Sequence, residues 1–131
     1  MSMTAVACMA MAIFFEARSE PIEGQLAVGD VIMNRVESPK YPDTVCEVVW
    51  QRKQFSFTHD GKSDNINKHK NNADVWAARS IINYSEAIIE GRGRLGLSST
   101  HYHTVNVSPY WNKGMEVEQV IGSHIFYKNN K

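Results

Sequence analysis

Apolar residues in the first part of the chain recur at the spacing of helices. Residues 4–17 are rich in alanine and methionine and carry two phenylalanines and a glutamate near their end, a composition typical of a buried helix. Residues 22–36 carry apolar side chains every three or four positions and predict a second, largely buried helix. Thr44 and Glu47 have the spacing of a capping box, which predicts a short third helix that runs to Trp50.

The middle of the chain is less regular. Residues 54–58 alternate polar and aromatic side chains like a short strand, and residues 60–72 are polar and predict a loop. A fourth helix is predicted to begin at Asn72 and to end at Gly91, a residue type common at helix C-termini. Its predicted buried face consists of Val75, Ala78, Ile82 and Ile89. Trp76, in the middle of this helix, is interpreted as a packing residue.

The last third of the chain changes to the pattern of strands. Residues 100–105 and 124–127 are rich in residues that favour strands. Between them lies a connecting segment that carries Pro109, Trp111 and Gly114. Helices early and a small antiparallel sheet late predict the α+β class. Residues 93–99 are expected to be a flexible connector within one domain spanning residues 1–131.

Length and charge limit the classes of function. A chain of 131 residues is long enough for one domain with a proper core. Lys plus Arg and Asp plus Glu number 14 each, so net charge gives no reason to expect binding to nucleic acid or to an anionic membrane surface. The apolar N-terminal run follows no basic segment and is too short to span a bilayer. The expected starting compartment is the cytoplasm, without a signal peptide.

The two cysteines do not reveal their state by spacing. Cys8 lies in the first predicted helix and Cys46 in the third. Free buried thiols are the expected state, because both lie among apolar residues and unpaired cysteine is often buried. A single bridge is the alternative.

Glu16 is the strongest candidate for chemistry. It ends an apolar helix next to Phe14 and Phe15, where a carboxylate would lose water and hold a proton near neutral pH, as a general acid must. The alternative is a solvated side chain, or an ion pair with Arg35 or Arg79.

A glycosidase of the usual kind needs a second carboxylate near the first. The candidates are Glu20, Glu23, Asp30 and Asp60, and none has a convincing setting in the sequence. Asp30, inside a buried helix, is expected to pair with Arg35 or to cap a backbone group. A mechanism with Glu16 as the single catalytic carboxyl, assisted by the substrate's own groups, therefore remains open.

The histidines offer a competing chemistry. His101 and His103 lie two apart on a predicted strand, so their rings share one side, and His124 with Glu16 could complete a zinc site. The plainer interpretation is polar residues on the wet face of a sheet, because no HExxH motif supports a metal.

Several aromatic residues would suit a sugar-binding groove. Tyrosine and tryptophan combine an apolar ring with a polar tip, which matches the face and rim of a pyranose. They fall in or beside predicted loops and strand ends: Trp50, Phe55, Tyr102, Tyr110 and Trp111.

Taken in order, the motifs resemble the cell wall hydrolase family that includes the spore-cortex-lytic enzymes. The resemblance covers almost the whole chain and is specific as an ordered set. Its N-terminal part is Phe15-Glu16-Ala17-Arg18 with Glu20, Gly24-Gln25-Leu26-Ala27-Val28, Asn34-Arg35-Val36, Pro42 and Gln54-Phe55-Ser56. Its C-terminal part is Thr100-His101-Tyr102-His103, Pro109-Tyr110-Trp111 and Ile121-Gly122-Ser123-His124-Ile125-Phe126-Tyr127.

The resemblance implies an activity and a fold. It implies a lysozyme-like or lytic-transglycosylase-like domain that cleaves peptidoglycan between N-acetylmuramic acid and N-acetylglucosamine, with Glu16 as its catalytic residue and without a cofactor. Attack by the muramyl C6 hydroxyl would give a 1,6-anhydro product and attack by water a lysozyme product, and the sequence leaves both open. The alternative function is a zinc-dependent peptidoglycan amidase or endopeptidase that uses the histidines.

The same resemblance implies binding residues and partners. Motif position implies substrate contacts for Gln54, Ser56, His101, Tyr102, His103 and His124. The expected partner is the peptidoglycan glycan strand, with neither nucleic acid nor stable membrane insertion. The expectation that the chain has neither an export signal nor a separate wall-binding domain makes it similar to a bacteriophage endolysin. It is expected to be a monomer released to the wall by a holin.

Overall fold

The computed structural model describes residues 4–51, 72–107 and 109–129. Four helices come first and a three-stranded antiparallel sheet comes last, which confirms the predicted α+β class. The helices are α1 (Ala5–Ala17), α2 (Ile22–Val36), α3 (Val45–Trp50) and α4 (Asn72–Ile89). The strands are β1 (His101–Thr104), β2 (Met115–Ile121) and β3 (His124–Asn129), with a 3-10 turn at Tyr110–Gly114 before β2.

Helix α1 forms the centre of the core. Thr4 caps it, with the side-chain oxygen accepting a hydrogen bond from the Ala7 amide at 3.1 Å. Every residue from Cys8 to Phe14 is buried, because α1 packs against α2, α3 and α4 together. Its all-round apolar composition is what a helix surrounded by other helices requires. Within the described ranges, no helix combines the length and apolar character needed to cross a bilayer.

The face of helix α4 that packs on the core matches the predicted one only in part, since Ala78 and Ile89 pack against the core as expected. The buried residues are Ile81, Ser85 and Ile88, whereas Val75 and Ile82 are exposed. Isoleucine occurs in adjacent pairs, 81–82 and 88–89, so the sequence contains two neighbouring apolar stripes. Packing against α1 and α2 selects one of them. Trp76, interpreted from the sequence as a packing residue, is 68% exposed, so that interpretation was wrong.

Strand β2 was missed by the sequence analysis, which treated its residues as a connection. The strand order is β1-β3-β2, and β3 pairs antiparallel with both neighbours. The reason for the miss is a β-bulge: Val117 pairs with Tyr127 and Gln119 with Phe126, which leaves Glu118 without a partner in the ladder. This extra residue breaks the alternation that identifies a strand.

The bulge directs Glu118 towards the connector that precedes β1. Its carboxylate accepts hydrogen bonds from the Ser98 amide at 2.9 and 3.0 Å and from the Ser99 hydroxyl at 2.5 Å. The connector was expected to be flexible, but side chains hold it from both sides.

The second anchor of the connector is Asp30 on α2. Asp30 is fully buried and accepts from the amides of Leu95 at 3.3 Å and Leu97 at 2.9 Å, and from the Arg94 Nε at 3.2 Å. The sequence analysis named Arg35 as a possible partner, but Arg35 Nε donates to the Thr100 carbonyl at 2.7 Å. Its alternative, a backbone-capping role for Asp30, agrees with the structure. Helix α2 therefore fixes where β1 begins.

Cys8 and Cys46 form a disulfide, so the expected free thiols were wrong. Packing of α1 against α3 brings the two Cα atoms to 5.2 Å, which is within the range that a disulfide can bridge. Both cysteines do lie among core residues, as expected. Their distance depends on helix packing, which spacing along the chain does not reveal.

Candidate active site

Glu16 lies in the last turn of α1, at the edge of the core. Its neighbour Phe14 is fully buried, while Glu16 itself keeps partial contact with solvent. The hydroxyl of Tyr102 on β1 donates a hydrogen bond to Glu16 Oε1 at 3.1 Å. One carboxylate oxygen is thus oriented by the sheet, and the group remains reachable from outside.

Tyr102 is held by the ring packing of the inner sheet face. Its ring lies 5.1 Å from that of His124, edge to face, and 5.5 Å from that of Phe126. Burial, reinforced by the Glu16 carboxylate, raises the pKa of Tyr102 well above its ordinary value. Tyr102 therefore keeps its proton and acts as a hydrogen-bond donor to Glu16.

His124 is buried next to a second carboxylate. It is 4% exposed, and its Nδ1 lies 3.8 Å from Glu20 Oε1. Burial lowers the pKa of His124, although the nearby Glu20 acts in the opposite direction. The imidazole is therefore favoured in its neutral form.

Glu20 lies in the turn between α1 and α2 and contacts the turn between β2 and β3. Its carboxylate accepts from the Ser123 amide at 2.8 Å and from the Ser123 hydroxyl at 2.6 Å. Burial by itself would raise the pKa of Glu20, but the two Ser123 hydrogen bonds and His124 outweigh it and lower the pKa. Glu20 is therefore a stable anion. The sequence analysis considered it only as a second catalytic carboxyl, and its contact with Ser123, 103 residues away, leaves no signal in a single sequence.

His101 and His103 lie on the other face of β1, since side chains alternate along a strand. His103 Nδ1 lies 2.7 Å from the Thr104 carbonyl, and Nε2 lies 2.8 Å from the Tyr127 hydroxyl. Because a carbonyl only accepts, His103 donates to it from Nδ1. Burial, with a contribution from Arg35, lowers the pKa of His101 to about 4.

The predicted site residues thus fall into separate groups. Tyr102 and His124 gather near Glu16, whereas His101 and His103 lie on the opposite face of the sheet. Gln54 and Ser56 lie outside the described residues, as do Phe55, Asp60 and the predicted strand at 54–58. The substrate-binding roles of all six predicted binding residues stay predictions.

A metal centre finds no support in the described part of the chain. Within residues 4–51, 72–107 and 109–129, no group of three His, Cys, Asp or Glu side chains is placed to hold a metal ion. The histidines of the alternative zinc site are divided between the two faces of the sheet. The arrangement instead offers an oriented carboxyl group with a neutral tyrosine donor, which suits acid–base chemistry.

An α+β domain with an oriented glutamate at the end of a core helix fits the class of glycan-cleaving enzymes. The profile of the cell wall hydrolase family matches residues 19–127. The chain therefore belongs to the cell wall hydrolase family, which confirms the resemblance found in the sequence.

Curated relatives carry the name spore cortex-lytic enzyme. The protein from Halalkalibacterium halodurans is 30% identical over 118 residues, which cover 90% of this chain and 33% of the relative. The protein from Oceanobacillus iheyensis is 48% identical over 54 residues, or 41% of this chain and 20% of the relative. The chain thus spans between a fifth and a third of the length of these relatives.

Two solved structures share the fold. The catalytic domain of the germination-specific lytic transglycosylase SleB from Bacillus anthracis aligns with a TM-score of 0.71 and 29% identity, covering 98% of this chain and 97% of that chain. The catalytic domain of the Bacillus cereus SleB protein aligns with a TM-score of 0.64 and 26% identity, covering 95% and 89%. The lytic-transglycosylase-like fold predicted from the resemblance is confirmed.

Proposed function

We propose that this domain cleaves peptidoglycan glycan strands between N-acetylmuramic acid and N-acetylglucosamine, with Glu16 as its single catalytic carboxyl. The observation that carries the proposal is the hydrogen bond of 3.1 Å from the hydroxyl of the partly buried Tyr102 to a glutamate that still reaches solvent. Membership of the cell wall hydrolase family and the fold shared with two SleB catalytic domains support the same activity.

The proposed reaction uses Glu16 twice. The protonated carboxyl first gives its proton to the glycosidic oxygen, so the bond from that oxygen to muramyl C1 breaks and the leaving sugar departs as an alcohol. The carboxylate then takes the proton of the muramyl C6 hydroxyl, whose oxygen bonds to C1 and closes a 1,6-anhydro ring. The proton balance closes, and Glu16 ends in its starting state.

The role of Tyr102 follows from its permanent proton. As a neutral donor, it holds one oxygen of the Glu16 carboxylate in place. It orients Glu16 for the two proton transfers. Tyr102 does not compete as an acid, because its raised pKa keeps the hydroxyl protonated throughout the working range.

We prefer the lytic transglycosylase outcome to the lysozyme outcome. The Bacillus anthracis SleB domain is a germination-specific lytic transglycosylase, and this chain aligns with nearly all of that domain. Two of the candidate second carboxylates are engaged elsewhere: Asp30 accepts hydrogen bonds from the connector, and Glu20 accepts them from Ser123.

The cell wall is the proposed place of action. The Cys8–Cys46 disulfide supports this location, because disulfides persist in oxidising compartments and are rare in the reducing cytoplasm. Action as a monomer and release through a holin remain predictions from the sequence. Sedimentation of the purified protein and lysis with and without a co-expressed holin would test them.

The decisive experiment is mass spectrometry of soluble fragments from purified peptidoglycan. Digests by the wild type, by Glu16→Gln and by Glu86→Gln would be compared, with a parallel wild-type digest in EDTA. Glu86 is an exposed glutamate on α4 and serves as the matched control. The wild type and Glu86→Gln should release anhydromuramyl fragments with or without EDTA, and Glu16→Gln should release none while keeping its circular dichroism spectrum.

Each other outcome has a definite meaning. Reducing muramyl ends would show that water replaces the C6 hydroxyl. Stem peptides lost in EDTA would refute glycan cleavage and favour the zinc amidase. Full activity of Glu16→Gln would refute the assignment of the catalytic carboxyl.

A further inference from the structure

We propose that Glu20 is a positioning residue: it locks the turn between β2 and β3 against the end of α1 and thereby sets the place of Tyr102 relative to Glu16. The inference rests on the proposed function, because it concerns the geometry of the same site. It assigns Glu20 a task different from that of a second catalytic carboxylate.

Glu20 connects two turns that are far apart in sequence. Glu20 lies just after α1, and its two carboxylate oxygens accept from the amide and the hydroxyl of Ser123. Both bonds are charge-assisted, which makes them shorter and stronger than neutral ones. The Glu20 side chain is only 12% exposed, so water competes weakly for these oxygens.

The turn between β2 and β3 fits closely against Glu20. Gly122 has a φ of +57° and lies directly against Glu20 and Pro21. A Cβ at position 122 would collide with the Glu20 carboxylate and would lie 2.9 Å from Pro21 Cδ. Only glycine combines this backbone conformation with so close an approach. The turn is shaped to receive the carboxylate.

Gln25 holds the turn between α1 and α2 in place. Gln25 donates from Nε2 to the carbonyls of Arg18 at 3.3 Å and Glu20 at 3.4 Å. These bonds hold the backbone of the turn from α1 to α2. Glu20 is therefore fixed in place, and the hairpin is bound to it.

Two contacts connect the turn between β2 and β3 to the strand that carries Tyr102. The Ser123 carbonyl accepts from the Val105 amide at 2.8 Å, directly after β1. His124, the next residue, packs edge to face on the Tyr102 ring at 5.1 Å. Ser123 and His124 thus hold β1 by its backbone and by the ring of Tyr102. Glu16 contacts Tyr102, and Glu20, one helical turn later in the chain, contacts Ser123. The contact of Glu20 thereby fixes the position of the Tyr102 that binds Glu16.

The test compares Glu20→Ala with the conservative Glu20→Gln on soluble, uncrosslinked glycan chains. The amide of glutamine can accept from the Ser123 amide and donate to its hydroxyl, so Glu20→Gln should keep most of kcat. Glu20→Ala should lower kcat by roughly 10- to 100-fold, the loss expected when catalytic groups move by about 1 Å. KM should change little, because a positioning residue acts through Tyr102 and Glu16 on the chemical step. Glu86→Gln, which changes an exposed carboxylate on α4, is the control.

A spectroscopic measurement keeps the test independent of activity. The Glu20 charge opposes the lowering of the His124 pKa, so both Glu20 variants should titrate His124 at lower pH than the wild type in NMR of the imidazole. Ser123→Ala, which removes one of the two hydrogen bonds, gives a milder case if Glu20→Ala does not fold.

The outcomes separate this inference from the proposed function. A wild type without glycan cleavage would defeat the proposed function itself. An active wild type together with an unchanged kcat in folded Glu20→Ala would refute positioning alone. If Glu20→Gln were as inactive as Glu20→Ala, with the His124 titration shifted, the carboxylate would itself take part in chemistry, and positioning would be wrong.

Discussion

Replacing Tyr102 by phenylalanine tests the geometry of the site most directly. The change removes the hydroxyl that donates to Glu16 Oε1 at 3.1 Å. It leaves the ring, and with it the packing on His124 and Phe126. The variant therefore separates the orienting hydrogen bond from the hydrophobic contribution of the side chain.

The expected size follows from the type of bond. A hydrogen bond to a charged group contributes about 1.5–3 kcal/mol. If that free energy holds Glu16 in its reactive orientation, its loss lowers kcat by about 10- to 100-fold, since each 1.36 kcal/mol in the barrier is a factor of about ten. Glu16 is partly exposed, so water can satisfy the released oxygen, and the free energy of unfolding should change by less than about 1.5 kcal/mol.

The assay is the initial rate of anhydromuramyl release, measured beside urea unfolding of the same preparations. Tyr84→Phe is the matched control, because Tyr84 is a partly buried tyrosine on α4 whose ring packs on the core. An unchanged kcat in Tyr102→Phe would refute the orienting role. A loss of activity that follows a loss of folded protein would assign Tyr102 to stability instead.

Three further predictions concern stability. Cys46→Ser should lower the free energy of unfolding by about 4 kcal/mol, from the chain-entropy relation for the 38-residue separation from Cys8; a urea midpoint equal to that of the wild type would contradict a formed bridge. Asp30→Ala should cost about 3–5 kcal/mol, because it removes the buried acceptor of the Arg94 Nε and of two backbone amides; thermal unfolding beside Asp43→Ala, an exposed carboxylate, would measure it. The pKa of His101 is lowered to about 4 in the folded protein, so on acidification His101 takes up its proton in the unfolded chain first. The free energy of unfolding should therefore fall between about pH 6.5 and about pH 4, by at most about 1.4 kcal/mol per pH unit. Urea titrations across this range should be flatter for His101→Asn, and identical slopes would exclude the effect.

The sequence predicted elements that rest on local patterns. The bounds of α1, α2 and α3 agree with the expected helices because an apolar run and a threonine cap act within a few residues. Thr44 accepts from the Glu47 amide at 3.2 Å, as a capping box requires. Such information lies within one turn of helix and survives in any tertiary context.

The features that the sequence did not predict all depend on contacts between distant segments. The buried stripe of α4 was chosen by its partners from two nearly equal candidates, and β2 was hidden by the unpaired Glu118. The disulfide depends on how α1 lies on α3. None of these choices changes the local spacing from which helices and strands are inferred.

The site shows the same division. Glu16 could be nominated from its apolar neighbours and from the family motif, and Tyr102 from the motif alone. Their contact spans 86 positions, so the sequence could name both residues but not their pairing. Motif position implied substrate contacts for Tyr102, His101 and His103 alike, whereas the alternation of side chains along β1 places the tyrosine on one face and the two histidines on the other.

The bulge in β2 has a consequence for tolerance to changes in chain length. Val117 and Val120 pair with Tyr127 and Ile125, which share one face of β3, although their own spacing along the chain is odd. Glu118 has no partner in the ladder, so its deletion would leave a regular strand in which all remaining side chains keep their present face. The deletion would remove the hydrogen bonds by which Glu118 holds the connector. Protein engineers could thus shorten β2 by one residue at this position and reveal how much of the sheet's placement depends on a carboxylate that takes no part in its pairing.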